Sequence, residues 1–186
     1  LLATDPTAKP MASGAVSRPT NPTDTETEAL TPAEVGQQAV KAALGAGVSP
    51  QEASETAGLQ AANAVAKNQI ASGGVMDATL GAAAASAASG AGLSDQVASN
   101  MGARQAAIEV ANQATSDGKS PTQIGHLTQL AAAGAVVNGK TPEGTAAAEE
   151  AAKAVGNAEA SKIGATVSSI LTATQSAVAG AGETVD

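Results

Sequence analysis

Few side chains in this 186-residue chain are of types that do chemistry. His126 is the single histidine, and there is no cysteine. A helical metal site would need a second histidine, cysteine or carboxylate about one turn away. Four positions to either side stand Thr122 and Leu130, and three positions away stand Gln123 and Gln129. His126 therefore reads as a surface or interhelix residue. No G-x-S-x-G turn is present to lift a serine nucleophile out of a strand–helix junction. Carboxylates cluster at Asp24, Glu26 and Glu28 and at Glu149-Glu150. An acid–base pair needs burial that drives two pKa values apart. These clusters sit in a Pro/Thr-rich stretch and in an Ala-Lys stretch, so solvated positions are expected. Gly45-Ala46-Gly47 and Gly90-Ala91-Gly92 invite a phosphate-loop reading. Such loops follow a strand and carry G-x-x-x-x-G-K-[ST] or G-x-G-x-x-G. Here each follows an Ala-rich run and reads as a helix stop. No catalytic, cofactor-binding or metal-binding residue is expected, and no enzyme.

The elements that would position any site are helices. The chain has no Phe, Trp or Tyr, and Leu, Ile and Val number 10, 5 and 14. So few large side chains bury little area, and such poverty usually goes with disorder. Against disorder stand a net charge of only −8 and a charged fraction of 14%. The apolar fraction of 43% comes mainly from alanine, the best helix former. Small side chains let helix axes approach closely, so tight helix-on-helix packing is expected, part of it between chains. With only 9 Lys+Arg and no base-stacking ring, nucleic acid is not an expected partner. No uninterrupted apolar run approaches the roughly 18 residues of a membrane span. The chain opens with Leu1-Leu2 rather than Met, which fits removal of a signal or pro-segment and a secreted or vesicle-packaged product. No residue pattern assigns a compartment.

Residues 1–30 hold Pro6, Pro10, Pro19 and Pro22 among many Thr and Ser, and read as an extended arm. Helix starts follow. Thr31-Pro32-Ala33-Glu34 combines a cap, a proline in the first helical position and a glutamate that bonds back to the cap. The pattern recurs at Ser49, at Ser120 and, in weaker form, at Ser94 and Thr141. Glycines close the preceding segments. These signals predict helices over 32–44, 50–72, 76–89, 94–116, 121–137 and 142–179, the last open to a split near Gly156 or Gly164.

Short and long helices alternate, and the alternation carries a repeat. Residues 45–54 (GAGVSPQEAS) and 90–99 (GAGLSDQVAS) match at seven of ten positions. Val35-Gly36 matches Ile124-Gly125 about two periods on. The expected architecture is all-α: helical hairpin repeats in a bundle or elongated slab with Ala/Gly-mediated close packing. The expected domains are the arm at 1–30, a helical repeat domain at 31–180 and a tail at 181–186. The repeat units fall near 31–74, 75–119 and 120–163, with a helical extension after them, and the period of roughly 45 residues is that of a helical array. Heptad-like stripes mark the packing seam: Leu59, Ala66 and Ile70, then Val97, Met101, Ile108 and Ala111, then Ile163, Val167 and Ile170.

The expected function is structural: self-assembly into a filament, ribbon or shell, with the chain itself or other helical subunits as partner. The Ala-rich helical composition resembles the small proteins of bacterial R-bodies and of related extrusive ribbons in algal ejectisomes. That resemblance implies an extrusive structure and lends a role to no particular residue. A non-catalytic helical adaptor or scaffold is the first alternative. An Ala-rich ice-binding protein is the second. Its threonine ladder would repeat about every 11 residues, whereas Thr20 and Thr31 are 11 apart with Pro22 between them.

Overall fold

The computed structural model describes residues 29–160 and 167–182. The described residues form seven α-helices and no strand: α1 Pro32–Gly45, α2 Pro50–Ala71, α3 Ala78–Gly90, α4 Asp95–Ser116, α5 Pro121–Ala133, α6 Gly144–Ala160 and α7 Val167–Gly182. Apart from Ala29 and Leu30, the Pro/Thr-rich arm lies outside the described residues, as do Ile163 and residues 183–186. Ala181 and Gly182, expected in the tail, belong to α7.

Helices α1, α2, α3 and α5 begin where local side chains supply partners for the free N–H groups of a first turn. The Thr31 hydroxyl accepts from Glu34 N, while Glu34 Oε2 accepts from Thr31 N at 2.8 Å. Ser120 and Gln123 form the same reciprocal pair. Ser49 accepts from Glu52 N. Ser94 occupies the cap position of α4 without a side-chain bond. Thr141 takes no cap position, because α6 starts only at Gly144. The chain first makes a tight turn through Asn138 (φ 46°) and Gly139 (φ 78°), closed by a bridge between Val137 and Lys140. The N–H of Glu143 then donates to Asn100 Oδ1 on α4 at 2.8 Å, so a neighbouring helix does the work expected of Thr141. Helix ends close on left-handed glycines, as at Gly47 (φ 83°), where Val48 N reaches back to the Ala43 carbonyl.

The span expected as one helix over 142–179 is two helices, α6 and α7, which pack against each other. Gly156, one of the two expected split points, lies inside α6, and Gly164, the other, lies outside the described residues. Helix α5 stops at Ala133 rather than 137, where the turn through Asn138 takes over.

Contacts follow a simple order. Each helix touches the next in sequence, and each touches the one after that: α1 with α3, α2 with α4, α3 with α5, α4 with α6 and α5 with α7. Among the described residues no helix contacts one further along. The helices α1, α3, α5 and α7 thus form one row and α2, α4 and α6 a second row laid against it. The core between the rows is mostly alanine, and its largest fully buried side chains are Leu80, Val110, Val155, Thr128 and Ser99. Alanine buries little area each, so stability rests on many close contacts rather than a few large ones.

Candidate helix-packing site

Glycines of the α1, α3, α5, α7 row bring the backbones of successive helices in that row into contact. A methyl group placed on Gly36 of α1 would collide with the Ala87 carbonyl oxygen of α3. One on Gly81 of α3 would collide with the Ala131 carbonyl oxygen of α5, and one on Gly125 of α5 with the Ala177 carbonyl oxygen of α7. Each crossing is reciprocal. Gly90 lies on the Ala33 carbonyl, Gly134 on the Ala78 carbonyl and Gly180 on the Thr122 carbonyl. Backbone meets backbone, a separation that any side chain would prevent.

One crossing therefore has two faces. The inserting face is a small residue and a glycine three positions later: Ala33/Gly36, Ala78/Gly81 and Thr122/Gly125. The receiving face lies in the last turn of the next helix in the row: Ala87/Gly90/Ala91, Ala131/Gly134/Ala135 and Ala177/Gly180/Ala181. The same geometry occurs three times, at sequence steps of 44 to 46 residues. Two faces remain at the ends of the row. On α1 the receiving positions are Ala42, Gly45 and Ala46, all exposed, and no described residue lies within 4 Å of a methyl on Gly45. On α7 the inserting positions are Ser168 and Leu171, and Leu171, 56% exposed, stands where the other helices have glycine.

The heptad-like stripes land differently from the expected seam. Ala66 and Ala111 are fully buried, and Ile70 and Met101 pack half-buried against the main core. Ile108 and Ile170 are half-buried. Leu59, Val97 and Val167 are 45%, 46% and 83% exposed. Helix α4 turns Ala98, Gly102, Ala103, Ala106, Ala107, Val110 and Ala114 inward instead. The cause is the spacing between helices. Gly102 faces the backbone of Ala85, and a methyl there would lie 2.5 Å from Ala85 Cα. Large side chains on that face would hold the helices apart, so they are displaced to the edges of the contact.

The displaced side chains gather on the outside of the long-helix row. Leu59, Val97 and Met101 line both a groove of about 670 Å³ between α2 and α4 and a smaller one of about 330 Å³ between α4 and α6. Glu55, Arg104, Glu143 and Glu150 surround them. Glu150 Oε1 accepts from Lys153 Nζ at 3.3 Å. Across the α2–α4 contact, Asn63 Nδ2 donates to Gln105 Oε1 at 3.0 Å. This lining brings together no serine or threonine with a histidine. His126, half-buried on α5, borders the α5–α7 crossing, its backbone N 3.2 Å from a methyl placed on Gly180.

Polar contacts fix one turn and two helix starts. Ser99, fully buried on α4, donates to the Lys140 carbonyl at 2.8 Å and accepts from Val137 N at 3.1 Å. It thereby anchors the turn that leads into α6. At the starts of α1 and α3, carboxylates are held below their usual range. For Glu34 the cause is first the Thr31 backbone N–H and then its hydroxyl. For Asp77 it is first the Thr79 hydroxyl and then its N–H.

Among the described residues no three His, Asp or Glu side chains converge as a metal cage, and no helix is long and apolar enough to cross a membrane. In the sequence the Val35-Gly36 and Ile124-Gly125 pairs mark the repeat. Their signal as contact residues was an aliphatic-Gly pair followed nine residues later by a second glycine, at 36/45, 81/90 and 125/134. The chain matches no protein-family model, no curated protein and no solved structure.

Proposed function

We propose that this chain is a non-catalytic structural subunit, a helical repeat array that works by packing against other helical chains in a larger assembly. In this reading the 31–180 region is a run of short-helix/long-helix units that stack edge to edge. Arrays of this kind stabilise each unit through its neighbours and leave their end faces to a cap or a partner. The observation that carries the reading is the unfilled copy of the glycine crossing on α1. A face filled three times inside the chain is left open once, with Leu44 44% exposed beside it.

The two ends differ, and this favours joining to a larger body over unlimited stacking of identical copies. Leu171 stands where a second copy would have to offer glycine. Self-assembly into a filament, ribbon or shell, R-body-like or otherwise, is the second reading. It is favoured by the exposed Leu59 and Val97, with half-buried Met101 beside them, on the long-helix row, which a second copy can cover.

Sedimentation velocity and negative-stain microscopy separate these readings. Protein isolated under native conditions from its source is expected in a large species, while the purified chain alone is expected to be small. Filaments formed by the purified chain alone would establish the second reading. Native material sedimenting as a monomer would refute both.

A further inference from the structure

We infer that the outer face of the α2, α4, α6 row is a docking site for an amphipathic helix of a different protein, one whose apolar stripe is flanked by lysine or arginine. The inference rests on the proposed assembly role and names the surface and the chemistry of the partner. The two hollows on this face adjoin, because Leu59, Val97 and Met101 line both and make one apolar trough. Close helix approach has turned these side chains outward. Three of the chain's few large apolar groups therefore stand together at the surface instead of in the core. A helix is the occupant that the trough suits. On its inner side the α2–α4 pair already holds one, α3, which packs against both. The outer side of the same pair carries the trough.

The walls decide the chemistry of the partner. Glu55, Glu143 and Glu150 line them against a single guanidinium, Arg104. Among the described residues only Glu150 of these carboxylates meets a cation, Lys153 at 3.3 Å. Carboxylates around an apolar floor attract a cationic rim and reject an anionic one. A second copy would bring the same acidic face on a chain of net charge −8. Residues 1–28 carry Asp5, Asp24, Glu26 and Glu28 against Lys9 and Arg18. Charge thus disfavours both as occupants and selects a basic partner.

A probe peptide tests the inference on the full chain. It is a Leu/Lys amphipathic helix of about 18 residues, five turns, with one tryptophan in its leucine stripe. The chain has no aromatic residue, so tryptophan fluorescence reports the peptide alone. The peptide should bind saturably and more weakly as salt rises, and a Leu/Glu peptide of the same pattern should not bind. Leu59→Ser/Val97→Ser and Glu55→Gln/Glu143→Gln/Glu150→Gln should each weaken binding about tenfold. Val75→Ser/Val178→Ser and Asp24→Asn/Glu26→Gln/Glu28→Gln, which remove apolar groups and carboxylates elsewhere, should leave it unchanged. Helical circular dichroism confirms that each variant folds. Equal losses from the trough and control variants would overturn the inference, as would equal binding of the Leu/Glu peptide. So would displacement of the probe by a peptide of residues 1–28, or a dimer of the chain that Leu59→Ser/Val97→Ser dissolves. The two readings fail separately. If Leu59→Ser/Val97→Ser leaves the native assembly intact, the site is wrong and the assembly role stands; if the probe binds in the trough while native protein is monomeric, the reverse holds.

Discussion

Replacing Gly81 by alanine probes the physical basis of the row directly. In a free helix this change is favourable by about 1 kcal/mol, because glycine has more backbone entropy to lose. At the α3–α5 crossing the new methyl meets the Ala131 carbonyl oxygen, with Ala135 N 3.0 Å and Ala131 C 3.1 Å away. All three atoms are backbone, so no rotamer change relieves the overlap. The two helices must part by about 1 Å, and contacts among Leu80, Ala84, Ala131 and Ala135, all buried, loosen together. Overpacking of this kind costs about 1–3 kcal/mol, and a backbone obstacle places it near the upper end. The net expectation is a loss of about 2 kcal/mol, a large share of the roughly 5–15 kcal/mol that holds a domain together. Gly45→Ala is the control, since no described residue lies within 4 Å of its methyl; it should be neutral or gain up to about 1 kcal/mol. The chain has no aromatic residue for fluorescence, so urea unfolding followed by far-ultraviolet circular dichroism is the assay. Equal midpoints for Gly81→Ala and Gly45→Ala would refute the claim that backbone contact at glycine sets the helix spacing.

Three further outcomes follow from other parts of the fold. Ser99→Ala removes one of the two acceptors of the Val137 N–H, which keeps the Lys140 carbonyl at 3.1 Å, and also the hydroxyl that donates to that carbonyl; it should cost about 0.5–1.5 kcal/mol for each bond lost, with faster amide exchange confined at first to residues 137–143, and unchanged exchange there would remove Ser99 as the anchor of that turn. Ala106→Leu, at a fully buried position of α4, should lower the thermal midpoint by an amount equivalent to about 1–3 kcal/mol, and an unaltered midpoint would contradict the close α3–α4 contact. The lowered carboxylates of Glu34 and Asp77 stabilise the starts of α1 and α3 fully above the ordinary carboxylate range, and that contribution is lost as the pH falls through their lowered folded values. Amide protection at Thr31 and Thr79 should therefore persist until the pH is below that range; titration of either carboxyl at its ordinary value would show that its capping bond does not form.

Helix starts were legible because their causes are local. Thr31, Ser49, Ser94 and Ser120 sit within three residues of the N–H groups they serve, and proline or aspartate follows each at the first helical position. Thr141 departs because its role passed to Asn100, some 40 residues away on α4, a partner no local pattern names. The row of glycine crossings was half legible: spacing marked Gly36 and Gly125 as equivalent, but not what they touch. Only tertiary structure decided which face of α4 turns inward. Periodicity favoured Val97 and Met101, since large apolar side chains ordinarily seek the core, yet the helices approach too closely to admit them and alanines and glycines take the inside. In the same way, sequence alone determined that this chain is helical, capped and repetitive. Its fold decided which glycines meet a neighbouring backbone, Gly36, Gly81 and Gly125 among them, because contact between backbones depends on where two helices meet.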